Sequence, residues 1–146
     1  MYNLMIGERT AEEIKIKIGS AYPQGEGKSM EIRGRDLVTG LPRTIEFTSA
    51  DTFQAMSEPI TTIVDGIKAV LERCPPELAS DIVDKGIIMT GGGSLLYGFT
   101  KLLSEDTGIP IHLAEDPLSC VALGTGKVLK CLDSFRNGII VGSRSV

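Results

Sequence analysis

The apolar positions of this chain change period several times, and each change marks an element. Tyr2-Asn3-Leu4-Met5-Ile6-Gly7 is an apolar run closed by a glycine, which predicts the end of a helix, so that the fold begins mid-element. Thr10 stands three residues before Glu13, the spacing of a capping box, and Ala11, Ile14 and Ile18 keep one apolar stripe as far as Gly19. A helix over 10–18 follows. Pro23, Gly25 and Gly27 then mark a surface loop, after which the period drops to two at Met30-Glu31-Ile32-Arg33 and again at Thr44-Ile45-Glu46-Phe47. The turn Thr39-Gly40-Leu41-Pro42 joins these as a hairpin. So small an α+β unit must lean on something larger.

From Ser49 the pattern is helical again, and Ile60, Ile63, Val64, Ile67, Val70 and Leu71 mark one face over three turns. Pro59 is expected to start or kink that helix, and Cys74-Pro75-Pro76-Glu77 to stop it. A short helix over 77–83 leads to Gly86. Ile87-Ile88-Met89 is a continuous apolar run of the kind found in strands buried on both faces. It is followed by glycines and a helical stripe at Leu95, Leu96, Phe99, Leu102 and Leu103, then by a strand over 109–113 and a last helix carrying Leu118, Val121, Ala122, Val128, Leu129 and Leu132. Strand, helix, strand, helix predicts a parallel sheet with a right-handed crossover.

Composition narrows the function classes. With 146 residues, 42% of them hydrophobic, the chain has the size and the apolar content to bury a core. Its formal charge of -4 comes from mixed acids and bases, with no basic block to grip a phosphate backbone, so nucleic acid is not an expected partner. The apolar runs are too short to span a bilayer, and no signal-peptide pattern stands at the start, which predicts a cytoplasmic location. Cys74, Cys120 and Cys131 are an odd set without CxxC spacing, which favours reduced, mostly buried thiols over a disulfide framework or zinc knuckle. The single histidine, His112, lies in an alternating segment and reads as a strand surface residue.

The richest chemistry lies at Thr90-Gly91-Gly92-Gly93-Ser94-Leu95, where a strand turns through three glycines toward a helix. Glycines without Cβ let a ligand approach the main chain, and a following helix N-terminus offers free N–H groups. Ligands in open α/β sheets bind at this end of the strands. The plainer alternative is a tight turn, for which one glycine would serve. The spacing is not GxGxxG. Ala122 to Val128 has some look of a phosphate loop, but it lacks the leading glycine and has Val128 where Ser or Thr would hold magnesium. On the first helix Glu12 and Lys15 stand one turn apart, away from the Ile14 and Ile18 stripe. A carboxylate and an ammonium there could hold ribose hydroxyls and an adenine edge, or could be an ordinary solvated pair.

Read together, these segments closely resemble the MreB cell-shape family of bacterial actins, including its Mbl-type members. The match rests on Gly7-Glu8-Arg9-Thr10-Ala11-Glu12-Glu13-Ile14-Lys15, on Arg33-Gly34-Arg35-Asp36-Leu37 with Thr39-Gly40-Leu41-Pro42, and on Pro75-Pro76-Glu77-Leu78, Thr90-Gly91-Gly92-Gly93 and Ala114-Glu115-Asp116-Pro117-Leu118. The resemblance implies an α/β, actin-like (ribonuclease H-like) ATPase fold in which two lobes close over ATP or ADP with magnesium. It further implies that this chain is the second lobe only. Residues 1–55 would be its small α+β outer subdomain, 56–134 its inner α/β subdomain with the adenosine motif, and 135–146 a tail matching no family pattern. The implied nucleotide contacts are Glu12, Glu13, Ile14 and Lys15 on the helix and Gly91, Gly92, Gly93, Ser94 and Leu95 at the glycine turn, with Ala122 to Gly126 near the cleft hinge.

The same resemblance implies absences. The family's phosphate loops, its magnesium-positioning aspartate and its catalytic carboxylate precede the region matched here, so the chain alone is expected to be inactive toward ATP, and magnesium to be held by the missing half. Self-association into filaments and work with the cell-wall elongation machinery are the implied partnerships. Membrane association would belong to the full-length protein, with no direct lipid contact from this part. A lobe of a small-molecule kinase of the same superfold is the rival reading.

Overall fold

The first ordered element is a strand, not the end of a helix. In this computed structural model, which describes residues 2–23 and 27–130, β1 (Leu4–Met5) pairs antiparallel with β2 (Ser29–Asp36). A six-residue apolar run is too short for its period to declare itself. Leu4 and Ile6 turn inward while Met5 is exposed, and Gly34 opposite has no side chain to strike the Met5 carbonyl or Leu4. Gly7 consequently opens a helix instead of closing one: α1 (Glu8–Ile18) begins there, and Thr10 lies inside its first turn. No capping box forms, because the N-cap position is taken by Gly7; the exposed Glu13 carboxylate stands instead between Arg9 at 3.7 Å and Lys17 at 3.8 Å, one turn away on either side.

β2 returns as β3 (Pro42–Thr48), in the hairpin register expected from the alternation, with Ile32 opposite Ile45 and Met30 opposite Phe47. Its turn is held by Asp36, whose carboxylate accepts from the Val38 N–H at 2.8 Å, the Thr39 N–H at 2.9 Å and Arg43 at 3.0 Å. Those donors, the Thr39 N–H first, then the Val38 N–H and the Arg43 guanidinium, hold the Asp36 carboxyl down at about 2.

α2 (Ser49–Glu72) starts in a reciprocal cap: the Asp51 N–H donates to Thr48 Oγ1 at 3.2 Å, and the Thr48 N–H donates to Asp51 Oδ2 at 2.9 Å. The helix continues through Pro59, so the proline lies inside it and does not start it. Proline deprives the Ala55 carbonyl of its usual donor, and both residues are exposed, so water replaces that bond at little cost. α3 (Pro76–Lys85) has a proline in its first turn and ends at Gly86, whose φ of 77° only glycine adopts easily.

β4 (Ile87–Met89) and β5 (Ile111–Leu113) pair in parallel, joined through a four-residue 3-10 turn at Gly92–Leu95 and α4 (Phe99–Thr107). α5 (Cys120–Lys130) follows. β4 is not buried on both faces: Ile88 is 68% exposed. α4 covers one face of this two-stranded sheet, and nothing among the described residues covers the other. His112 is exposed on β5, while Cys74 and Cys120 are free, half-buried thiols. Cys131, Leu132 and the tail at 135–146 lie outside the described residues.

Two apolar clusters result. Ile14, Ile18 and Ile32 join α1 to the three-stranded sheet, with Leu4, Ile6, Met30, Ile45 and Phe47 packed around them. Ala21, Ile60, Val64, Phe99 and Leu103 join α2 to α4. The buried Thr52 hydroxyl links the two regions by donating to the Ile18 carbonyl at 2.8 Å.

Candidate functional site

The glycine turn is an elbow closed on itself by hydrogen bonds. After β4 the chain turns at Gly91, whose φ of 80° excludes most side chains. The Gly91 N–H donates to the Pro117 carbonyl at 2.7 Å, and the buried Ser94 hydroxyl donates back to the Gly91 carbonyl at 2.6 Å. Leu96 N–H then donates to Gly93 O at 3.2 Å. A Cβ on Gly91 or Gly93 would meet nothing within 4 Å, and one on Gly92 would touch only Leu118 Cδ2 at 3.3 Å. The elbow therefore presents bare main chain to open space, the surface a flat nucleoside can rest on. The helix expected directly behind it is a single 3-10 turn, and α4 starts only after Gly98 in the left-handed region. Gly98 is required there because a Cβ would strike Tyr22 Cβ.

The expected contacts on α1 divide by face. Glu12 and Lys15 are exposed and paired, Lys15 Nζ to Glu12 Oε1 at 3.3 Å, and Glu13 lies exposed between Arg9 and Lys17. These are polar groups on one turn, free to exchange each other for a ligand at small cost. Ile14 is buried in the core, so only its main chain can meet a ligand. Ser94 is likewise buried and its hydroxyl is committed to the elbow, whereas Leu95 is half exposed.

The two segments are joined at a point the sequence did not single out as functional. Gly19, the residue ending α1, lies against Leu96: a Cβ there would come within 2.9 Å of Leu96 Cδ1 and would collide with the Lys15 carbonyl. Next to it Ser20 bridges Tyr97 in parallel, and the Ala21 N–H donates to the Tyr97 carbonyl at 2.8 Å. The end of α1 is thus fixed to the segment that leaves the elbow. Its only sequence signal is a glycine closing a helix, which many helices show.

A hollow of about 540 Å³ opens beside Lys15, lined mainly by apolar side chains of β1, α1, the sheet and α2, among them Leu4, Ile6, Ile45 and Met56. No elbow residue lines it, so this hollow and the elbow are separate features of the surface. Ala122 to Val128 lies within α5 and forms no loop. Among the described residues no group of three His, Cys, Asp or Glu side chains could hold a metal ion, and no helix is long and apolar enough to cross a membrane.

Comparison with known proteins places this arrangement in context. The profile of the MreB/Mbl protein family matches residues 1–137. The cell shape-determining protein Mbl of Bacillus cereus is 52% identical over 132 residues, covering 90% of this chain and 40% of that protein. The cell shape-determining protein MreB of Escherichia coli is also 52% identical over 132 residues, 90% of this chain and 38% of its own length. The chain therefore spans about two fifths of the length of the curated relatives it matches. Among solved structures, MreB5 of Spiroplasma citri bound to ADP superposes with a TM-score of 0.87 at 36% identity, covering 93% of this chain and 41% of that one. The MamK double helical filament shares the fold, with a TM-score of 0.63 at 20% identity, over 79% of this chain and 35% of that one.

Proposed function

This chain belongs to the MreB/Mbl family, and from that premise we propose that it supplies one wall of an adenine-nucleotide cleft in a filament-forming protein that determines cell shape. Its fold is a part of the actin-like α/β fold. In the proposal the main chain of Gly91, Gly92 and Gly93, flanked by Ser94 and Leu95, lies against the nucleoside. Glu12, Glu13 and Lys15, with the main chain of Ile14, approach ribose and base from α1.

One observation carries the reading: α1 and the elbow are locked together at Gly19 and Leu96, while the elbow keeps its glycine faces open. An open glycine cradle fits a nucleotide. The relative solved with ADP and a second MreB5 structure solved with AMPPNP support the ligand class. The phosphates and magnesium fall to groups outside this chain.

We assign residues 1–55 to an outer and 56–134 to an inner subdomain: the cluster of Ile14, Ile18 and Ile32 lies wholly in the first, while that of Ile60, Val64, Phe99 and Leu103 lies in the second and takes in Ala21 from the first. Self-association into filaments is the proposed mode of action, with the cell-wall elongation machinery as partner and the cytoplasmic face of the membrane as the working location of the whole protein. The kinase reading is not favoured, since the relatives at 52% identity are named cell shape-determining proteins. The test is sedimentation of a full-length Bacillus cereus Mbl in which this chain replaces the matching stretch. Pelleting that rises with ATP is expected, and pelleting indifferent to nucleotide overturns the filament reading.

A further inference from the structure

Tyr22 follows closely on the end of α1, yet its side chain is seated on α4. Its Cβ lies so close to Gly98 that a Cβ there would strike it, and Lys101 Nζ stands 4.2 Å from the ring centroid. Its hydroxyl donates to Glu105 Oε1 at 3.3 Å, and Lys101 and Glu105 pair at 3.9 Å one turn apart along the helix. The hydroxyl bond is long and exposed, and exposed ion pairs contribute little, so the seat is made by the ring and its Cβ on Gly98 and Lys101.

The backbone is shaped to deliver the ring to that seat. Ser20 is 1% exposed; its hydroxyl donates to the Tyr22 carbonyl and accepts from the Tyr22 N–H at 3.4 Å, which curls the chain tightly. Ala21 between them is buried in the cluster with Ile60, Val64, Phe99 and Leu103. On the other side Gly98 takes a left-handed φ of 72° and leaves room for the Tyr22 Cβ.

The joint between α1 and the elbow is therefore a run of contacts and not a single point. Gly19 meets Leu96, Ser20 bridges Tyr97 in parallel, the Ala21 N–H donates to the Tyr97 carbonyl at 2.8 Å, and Tyr22 meets Gly98. A contact at Gly19 alone would let α1 pivot about it. Tyr22, at the far end of the run and anchored on α4, removes that freedom. Glu12 and Lys15 stand on the helix leading into the joint, so any change of angle there moves them relative to Gly91, Gly92 and Gly93.

We propose that Tyr22 is a positioning residue of the nucleotide site: seated on Gly98 and Lys101, it sets the angle at which α1 carries Glu12 and Lys15 toward a base resting on the elbow. It touches no ligand itself. Its effect is preorganisation, since a wall already held at the right angle spends no binding energy on being ordered. The proposal rests on the nucleotide-wall reading and adds to it the residue that holds the wall's two parts in register.

The test uses full-length Bacillus cereus Mbl carrying this chain, with Tyr22→Ala, Tyr22→Phe and, as a control for lost stability alone, Thr48→Ala at the cap of α2. ADP affinity is read by isothermal titration calorimetry well below each unfolding midpoint, where every variant is folded. Tyr22→Ala should bind ADP about tenfold more weakly, because misplaced contacts lose affinity steeply. Tyr22→Phe, which keeps the ring on its seat, should stay within about twofold of the unaltered protein, and Thr48→Ala should match it. Unchanged affinity in Tyr22→Ala, equal losses in Tyr22→Ala and Thr48→Ala, or a Tyr22→Phe as weak as Tyr22→Ala overturns the proposal. Gly93→Val, measured alongside, separates the two claims: if it binds weakly while Tyr22→Ala binds normally, only the positioning role falls, and if it binds normally both fall.

Discussion

Gly19 and Leu96 are in contact where the end of α1 meets the chain leaving the glycine elbow, with room at Gly19 for a hydrogen and for no carbon. Gly19→Ala should therefore destabilise the chain by about 1–3 kcal/mol through the clash with Leu96 and the Lys15 carbonyl. Gly66→Ala, in the exposed middle of α2 with nothing within 4 Å, should stabilise it by about 0.5–1 kcal/mol. Urea midpoints of the two variants should move in opposite directions, and a neutral Gly19→Ala would show that the joint is loose.

Asp36 makes a pH prediction. Its carboxyl is held at about 2, below the ordinary value near 4, so the hairpin turn is stabilised by the ionised form. The sign follows from linkage: the unfolded chain binds the proton more readily, so the contribution is complete above about pH 4 and fades as the pH falls toward 2. Asp36→Asn should be less stable than the unaltered chain at neutral pH, and the difference should shrink across that window. A gap that is constant from pH 6 to pH 2 would contradict the assignment.

The cap of α2 is reciprocal, and its two halves should not add. Thr48→Ala should cost about 0.5–2 kcal/mol. Asp51→Ala removes the same box and in addition frees Tyr2, whose hydroxyl donates to Asp51 at 2.9 Å while its ring meets Phe47 edge-on at 5.6 Å. The double variant should lose less than the sum of the single losses, read by thermal or urea unfolding. Strict additivity would mean that the two side chains cap independently.

How far the sequence reveals this molecule depends on the range of the interactions concerned. The hairpin, the parallel β4–β5 pair and the long helix are legible because period and turn residues are local. Tyr2 to Gly7 mislead because strand pairing with β2, some thirty residues away, decides their conformation. Thr10 and Glu13 have capping-box spacing, yet the N-cap is Gly7 and Thr10 lies inside the first turn. The real box at Thr48 and Asp51 uses Asp in place of Glu or Gln, which hides it from the usual pattern. The helix passes over Pro59 because solvent satisfies the carbonyl it orphans. For the candidate site, the elbow itself is legible from three consecutive glycines, while its junction with α1 is not, because Gly19 meets Leu96 only in three dimensions.

Whether a ligand rests on the bare main chain of the elbow is the central question, and Gly93 isolates it. A side chain at Gly93 meets nothing within 4 Å in the fold and needs no left-handed backbone, so Gly93→Val should leave the unfolding midpoint nearly unchanged. The decisive measurement is ADP affinity by isothermal titration calorimetry, made on full-length Bacillus cereus Mbl carrying this chain, with and without Gly93→Val. A loss of about tenfold or more, equivalent to at least about 1.4 kcal/mol, is predicted. An unchanged dissociation constant in a normally folded variant would contradict the claim that Gly91 to Gly93 form a wall of the nucleotide site.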